Sequence, residues 1–167
     1  MNSNLMNASP PDTADDIDEV INLYANKIFR IAFSRLNNKA DAEDIVQEVF
    51  MKYIAHQHQF TDEEYRKAWL IRVTINCTNS LLRSAWFRKT TELKDDLFTE
   101  MEEKTEIYTY VLKLPEKYRT IIHLFYYEDL PIKEISSILG ISESLAKTRL
   151  HRARKALKDL CPDLTDL

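Results

Sequence analysis

Glycine is nearly missing. The 167-residue chain has one, Gly140, and only five prolines. Tight hairpins need glycine at positive φ, so a hairpin-rich β fold is excluded and a chain of helices is expected. Cysteine is scarce too: Cys77 and Cys161 lie far apart and form no CxxC pair. They read as reduced thiols of a cytosolic protein, not as a disulfide or a zinc site. No apolar run approaches the roughly 20 residues that a membrane span needs. The opening "MNSNLMNASPPDTADD" lacks the basic-then-apolar order of a signal peptide, and residues 1–15 read as a disordered, acidic lead-in. The last absence is local. From Tyr65 to Thr91 there is not one Asp or Glu, although the chain carries a formal net charge of −4. That stretch holds Arg66, Lys67, Arg72, Arg83, Arg88 and Lys89 instead.

What is present is apolar spacing of three and four residues, the mark of amphipathic helices. Ile17, Val20, Ile21, Tyr24, Ile28, Ile31 and Leu36 predict a first helix, capped by Asp15 or Asp16 and ended by Asn37-Asn38. A second runs from near Ala40 to His56 with Ala42, Ile45, Val46, Val49, Phe50 and Tyr53 inward. The polar connection "AHQHQFTDEE" leads to a third, from near Asp62 to Leu82 or a little beyond. Residues 92–106, "ELKDDLFTEMEEKTE", carry seven acids against Lys94 and Lys104 and read as an acidic linker. A second unit spans 107–160, with a tail at 161–167. In it, Pro115 suits the start of a helix that buries Tyr118, Ile121, Ile122 and Phe125. Ile135, Ile138 and Leu139 predict a short helix, Gly140 a tight turn, and Ser142 the cap of a longer last helix. Two helices joined by a tight glycine turn are a helix-turn-helix signal. The expected fold class is all-α, with two small helical domains.

Three helix faces carry candidate chemistry. On the last helix Ala146, Leu150, Ala153 and Leu157 form the packed stripe, so Lys147, Thr148, His151, Arg152 and Lys155 point away from it. From Ser144 to Lys158 there are six Lys or Arg and no acid. That pattern suits a recognition helix in a DNA major groove, although cations also suit a helix C-terminus. On the third helix Trp69, Arg72, Asn76, Asn79 and Arg83 share a face, with Tyr65 before and Trp86 and Phe87 after. Stacking surfaces among positive charges suit single-stranded nucleic acid, and a carboxylate there would repel phosphate. Trp69 taken alone fits a core position equally well. On the second helix Asp41, Asp44, Gln47, Glu48 and Met51 share a polar face, which is either solvated or a docking face for a basic partner.

"NKADAEDIVQEVF", then "KAWLIRVTIN…LLR", then "LPEKYRTIIHLFYYEDLPIKEISSILGISESLAKTRLHRARKAL" resemble the bacterial RNA polymerase sigma factors of the sigma-70 family, extracytoplasmic-function (ECF) group. The resemblance covers Ile17 to Leu160. It implies a sigma-2-like domain over 16–91 and a sigma-4-like helix-turn-helix domain over 107–160, with no domain between them. It also implies a promoter-specificity subunit that binds core polymerase, at the beta-prime clamp helices and beta flap, and promoter DNA. An anti-sigma factor, membrane-bound in many members, is a further implied partner. By the same resemblance Asp41, Asp44, Gln47 and Glu48 dock on core polymerase. Phe60, Trp69, Arg72, Asn76, Asn79 and Arg83 melt and read the −10 element, with the loop 57–64 capturing a flipped base. Lys147, Thr148, Arg149, His151, Arg152 and Lys155 read the −35 element.

A stand-alone helix-turn-helix regulator is the rival reading. It accounts for the C-terminal half but leaves the Trp-Arg-Asn face and the docking stripe without a role. An enzyme is disfavoured. His56 and His58 form a lone His-x-His, Glu43, Asp44 and Glu48 a bare carboxylate cluster, and there is no HExxH or glycine-rich phosphate loop. No cofactor and no metal are expected, and the expected location is the cytoplasm.

Overall fold

The computed structural model describes the backbone of residues 13–56, 60, 62–87 and 105–164, and the side chains of these residues except 13–16 and 85–87. Among the described residues all regular structure is helical. The first half consists of α1 (Thr13–Leu36), α2 (Lys39–His56) and α3 (Glu63–Phe87). The second half consists of α4 (Glu106–Leu112), α5 (Glu116–Ile122), α6 (Ile132–Leu139) and α7 (Glu143–Leu160). The lead-in before Thr13 and most of the acidic linker lie outside the described residues, while Glu106 opens α4.

Local chemistry explains the ends. Asn37 takes φ 50, a left-handed conformation that Asn tolerates, and its N–H returns to the Phe33 carbonyl at 2.8 Å. The next residue starts α2: the Asn38 Oδ1 accepts from the Asp41 N–H at 3.0 Å. Asp62 caps α3 in the same way, accepting from the Tyr65 N–H at 2.7 Å. α1 begins at Thr13, ahead of the Asp15/Asp16 cap expected from the sequence.

The apolar stripes are inward as their spacing demands. Val20, Tyr24, Ile28 and Ile31 of α1 meet Ala42, Ile45, Val49, Phe50 and Tyr53 of α2 and Leu70, Ile71 and Ile75 of α3. Burying each large aliphatic chain stabilises by about 1.5–3 kcal/mol. Thr74 and Thr78 are buried in α3 without loss, because each hydroxyl donates to the carbonyl one turn back, Leu70 O at 2.7 Å and Thr74 O at 3.0 Å.

In the second half α5 packs on α7 and α6 on α7. The helix expected over "PEKYRTIIHLFYYED" changes character midway. Residues His123–Tyr127 form a π-helical turn, and the Glu128 N–H reaches back to the His123 carbonyl at 3.1 Å. Gly140 ends α6 at φ 65, with the Ile141 N–H bonded to Ser136 O at 3.0 Å in a Schellman turn. A Cβ at Gly140 would meet nothing within 4 Å, so the backbone angle, not space, requires glycine here. The halves touch: α1 packs against α5, and α3 against α6.

Candidate nucleic-acid interface

α7 begins at a firm cap, with the Ser142 Oγ accepting from the Leu145 N–H at 3.1 Å. Such a cap contributes about 1 kcal/mol and holds the first turn in place. Ala146, Leu150, Ala153 and Leu157 are buried, and Lys147, Thr148, His151, Arg152 and Lys155 are all exposed on the opposite side. At 1.5 Å per residue these five span about 12 Å of helix, within the width of a DNA major groove. The Thr148 hydroxyl donates to the Ser144 carbonyl at 3.0 Å, which leaves its lone pairs free to accept.

Arg149 does not join them. It is half-buried, and its charge acts on the buried Arg35 of α1. A helix turns about 100° per residue, so Arg149 falls beside Ala146 and Ala153 rather than opposite them. Arg154 is committed as well: its Nε donates to the Tyr126 hydroxyl at 2.6 Å, and its guanidinium lies over the Phe125 and Tyr126 rings. The basic residues of α7 therefore divide into a solvent strip and two packed cations.

On α3 the residues Arg72, Asn76 and Arg83 are exposed, whereas Trp69 and Asn79 are half-buried. The Trp69 ring meets Phe60 edge-on at 5.1 Å, Tyr53 at 6.3 Å and His56 at 5.9 Å, and Phe60 stacks on Tyr53 at 5.2 Å. Trp69 and Phe60 thus sit in one aromatic cluster on the core edge. Trp69 packs against the core through these rings and stays partly exposed. Residues 57–59 and 61 of the proposed base-capture loop, and the side chains of Trp86 and Phe87, lie outside the described residues. Asn79 and Arg72 are engaged. The Asn79 Oδ1 accepts from Arg35 Nη2 at 2.6 Å, and Arg72 Nη2 donates to the Ser137 Oγ of α6 at 3.0 Å.

On α2 Asp44, Gln47 and Glu48 are exposed, and Asp41 is half-buried beside the Asn38 cap. Glu48 pairs with Lys52 at 2.9 Å. The Lys52 hydrogen bond holds the Glu48 carboxyl below its ordinary range, against partial burial that opposes it. Met51 is 72% exposed and Ile54 47%, so the polar face continues into an apolar ledge.

A polar cluster between the halves has no counterpart in the sequence reading. Arg35, 4% exposed, places Nη2 3.0 Å from Glu116 Oε1 and Nη1 3.3 Å from Thr120 Oγ1. Burial lowers its guanidinium from the ordinary value; Glu116 opposes that, while Arg119 and Arg149 add to it. Arg119 of α5 donates to the Ser34 and Arg35 carbonyls at 2.7 and 2.9 Å and to the Leu114 carbonyl of its own half at 2.8 Å. It thereby caps the C-terminal end of α1, where cations are favoured. Lys27 of α1 contacts Glu128 Oε2 at 2.6 Å, and the buried His123 Nε2 lies 3.3 Å from Glu128 Oε1. Burial would raise the Glu128 carboxyl, but the adjacent His123 ring and the Lys27 hydrogen bond hold it below its ordinary range.

Among the described residues no three His, Cys, Asp or Glu are placed to hold a metal ion, and no helix is long and apolar enough to cross a membrane.

Known proteins share this arrangement. The family model for sigma-70 region 2 matches residues 20–88, and that for sigma-70, region 4 matches residues 104–157. The chain is 30% identical to the ECF RNA polymerase sigma factor SigW of Bacillus subtilis, across 90% of this chain and 91% of the relative. It is 34% identical to the ECF RNA polymerase sigma factor SigM of the same organism, across 86% of this chain and 94% of the relative. In fold it is similar to the sigma factor RpoE solved with the anti-sigma factor NepR from Bartonella quintana, with a TM-score of 0.77 at 22% identity, covering 90% of this chain and 99% of that one. Two sigma-70 regions in their order, on a two-part helical fold and with relatives matched along nearly their whole length, leave one conclusion: the chain belongs to the extracytoplasmic-function group of RNA polymerase sigma factors.

Proposed function

We propose that this sigma factor docks on core RNA polymerase through α2 and directs it to promoters by contacting DNA at two separate places. The observation that carries the reading is the pairing of two acid-free basic stretches, one in each half and with different chemistry: Tyr65 onward in α3 and Ser144–Lys158 in α7. α7 offers a rigid capped strip of Lys147, Thr148, His151, Arg152 and Lys155, suited to the edges and phosphates of duplex −35 DNA. α3 offers Arg72, Asn76 and Arg83 beside a half-open aromatic wall of Trp69 and Phe60, suited to an unpaired −10 strand. Extruding a base costs a few kcal/mol, which stacking and hydrogen bonds at that wall offset. The chain forms no bonds itself; the polymerase does the chemistry, and the place of action is the cytoplasm. The acidic linker 92–106 joins the two DNA-binding domains, and an anti-sigma factor is a further partner.

Docking is tested at α2. Asp44 and Gln47 are exposed and far from the core packing, so changing both to Arg leaves the fold intact. The double variant is expected to bind core polymerase at least tenfold more weakly, a loss of about 1.4 kcal/mol. Titration of fluorescent chain with core polymerase, alongside run-off transcription, measures it. Unchanged affinity would make this face merely solvated.

A further inference from the structure

The first turn of α7 carries an apolar side chain that its polar strip does not account for. Leu145 is 45% exposed, while its apolar neighbours Leu139, Ile141 and Leu150 are packed into the core. The only other large apolar side chain exposed on α7 is Leu160, the last residue of the helix. The backbone at Leu145 is fixed, because its own N–H is the one that the Ser142 Oγ accepts at 3.1 Å. Side chains on a helix lean toward its N-terminal end. Leu145 is thereby held forward on the end that a recognition helix points at base edges.

Seven residues make about two helical turns, so Leu145 stands in line with Arg152 on the same side of α7. The step between them along the axis is about 10 Å, or about three base pairs at about 3.4 Å each. Glu143, the acid of that first turn, lies about 200° round the helix from Leu145, so it does not set a carboxylate beside this side chain.

A leucine side chain offers no hydrogen bond. The edges of the four base pairs in the major groove present donors and acceptors and one apolar group, the C5-methyl of thymine. Packing the leucine on that methyl removes two apolar surfaces from water. Against any other base edge, Leu145 would desolvate a polar group and leave its hydrogen bond unmade. We infer that Leu145 is a specificity-determining residue of the −35 site and selects thymine by packing on its methyl group, within about three base pairs of the Arg152 contact. This rests on the proposed −35 role of α7 and adds to it a contact that charge and polarity do not reveal.

The test removes each partner separately. Duplex promoters recovered by run-off selection are prepared with deoxyuridine in place of one −35 thymine at a time. That change deletes the methyl and keeps every hydrogen-bonding group of the base pair. Affinity is measured for holoenzyme carrying the wild-type chain, Leu145→Ala or Leu145→Met. Ala suits a helix at least as well as Leu, so α7 and its cap persist. The wild type is expected to lose about fourfold in affinity at one thymine, the worth of one buried methyl group. Leu145→Ala should lose that penalty and keep any others, whereas Leu145→Met, which retains an apolar chain, should keep it. A role confined to packing within the protein would not tie the variant to one methyl group. Penalties equal in the wild type and Leu145→Ala at every thymine would overturn the inference, as would selected −35 elements with no thymine on either strand. If Leu145→Ala binds core polymerase more weakly and still shows the full methyl penalty, the side chain belongs to a protein contact and the inference is again overturned. Failure of the −35 reading looks different: wild-type holoenzyme would show no −35 preference, Arg152→Ala would leave selection unchanged, and the role of Leu145 would fall with it.

Discussion

Arg152→Ala is expected to weaken promoter binding by about 1–3 kcal/mol, roughly fivefold to 150-fold, and to relax sequence preference at one −35 position. Arg152 is exposed on the side of α7 away from Ala153 and Leu157, and its guanidinium has the planar fork that binds guanine O6 and N7 together. The change should not disturb folding, since Arg152 packs against nothing in the core. Selection of promoters from a randomised −35 library by the variant holoenzyme measures the relaxation. If Arg152 contacts only phosphate, the outcome differs in kind. Affinity then falls evenly for all sequences, and the dependence of log affinity on log salt becomes shallower by about one. Arg149→Ala should leave −35 preference unchanged, because its side chain turns to the domain boundary.

The second large effect is at α3. Asn76→Ala is expected to spare binding to duplex −35 DNA and to cut promoter opening at least tenfold, about 1.4 kcal/mol. A template supplied with a pre-opened −10 bubble should rescue Asn76→Ala much more than it rescues Arg152→Ala, because the bubble removes only the melting step. Trp69→Ala should follow the same pattern with an added loss of stability. Its ring holds Phe60, Tyr53 and His56 together, so part of its removal is felt as packing. Asn76 is exposed and isolates the DNA contribution. Equal rescue of Asn76→Ala and Arg152→Ala would contradict the assignment of melting to this helix.

What could be read from the sequence was local. The stripes of α1, α2 and α7, the Asn37-Asn38 break, the start of α3 near Asp62, the Ser142 cap and the Gly140 turn each depend on residues within a turn or two, and the structure places them as their chemistry demands. The π-helical turn at His123–Tyr127 gave no such sign, since its extra residue leaves the apolar spacing of "TIIHLFYY" nearly intact. Arg149 entered the −35 set with the resemblance, although helical geometry turns it from the solvent strip. The boundary cluster was out of reach for a different reason. Arg35 and Thr120 meet across 85 residues, and Lys27 and Glu128 across 101. Contacts at such separations follow from how the halves are docked, which no periodicity encodes. They also decide the state of Asn79 and Arg72, whose side chains looked free while α3 was considered by itself.

The central claim is that this chain makes core polymerase open a promoter that it selects. Permanganate reactivity of unpaired thymines is the most direct measurement. Core polymerase with the wild-type chain should produce reactive thymines confined to the −10 region of promoters recovered by run-off selection. Core polymerase alone should produce none there, and core polymerase with Asn76→Ala should give at least tenfold less signal, about 1.4 kcal/mol. A duplex that stays closed with the wild-type chain, while the chain binds the same DNA without polymerase, would contradict the account and return the protein to the stand-alone helix-turn-helix reading.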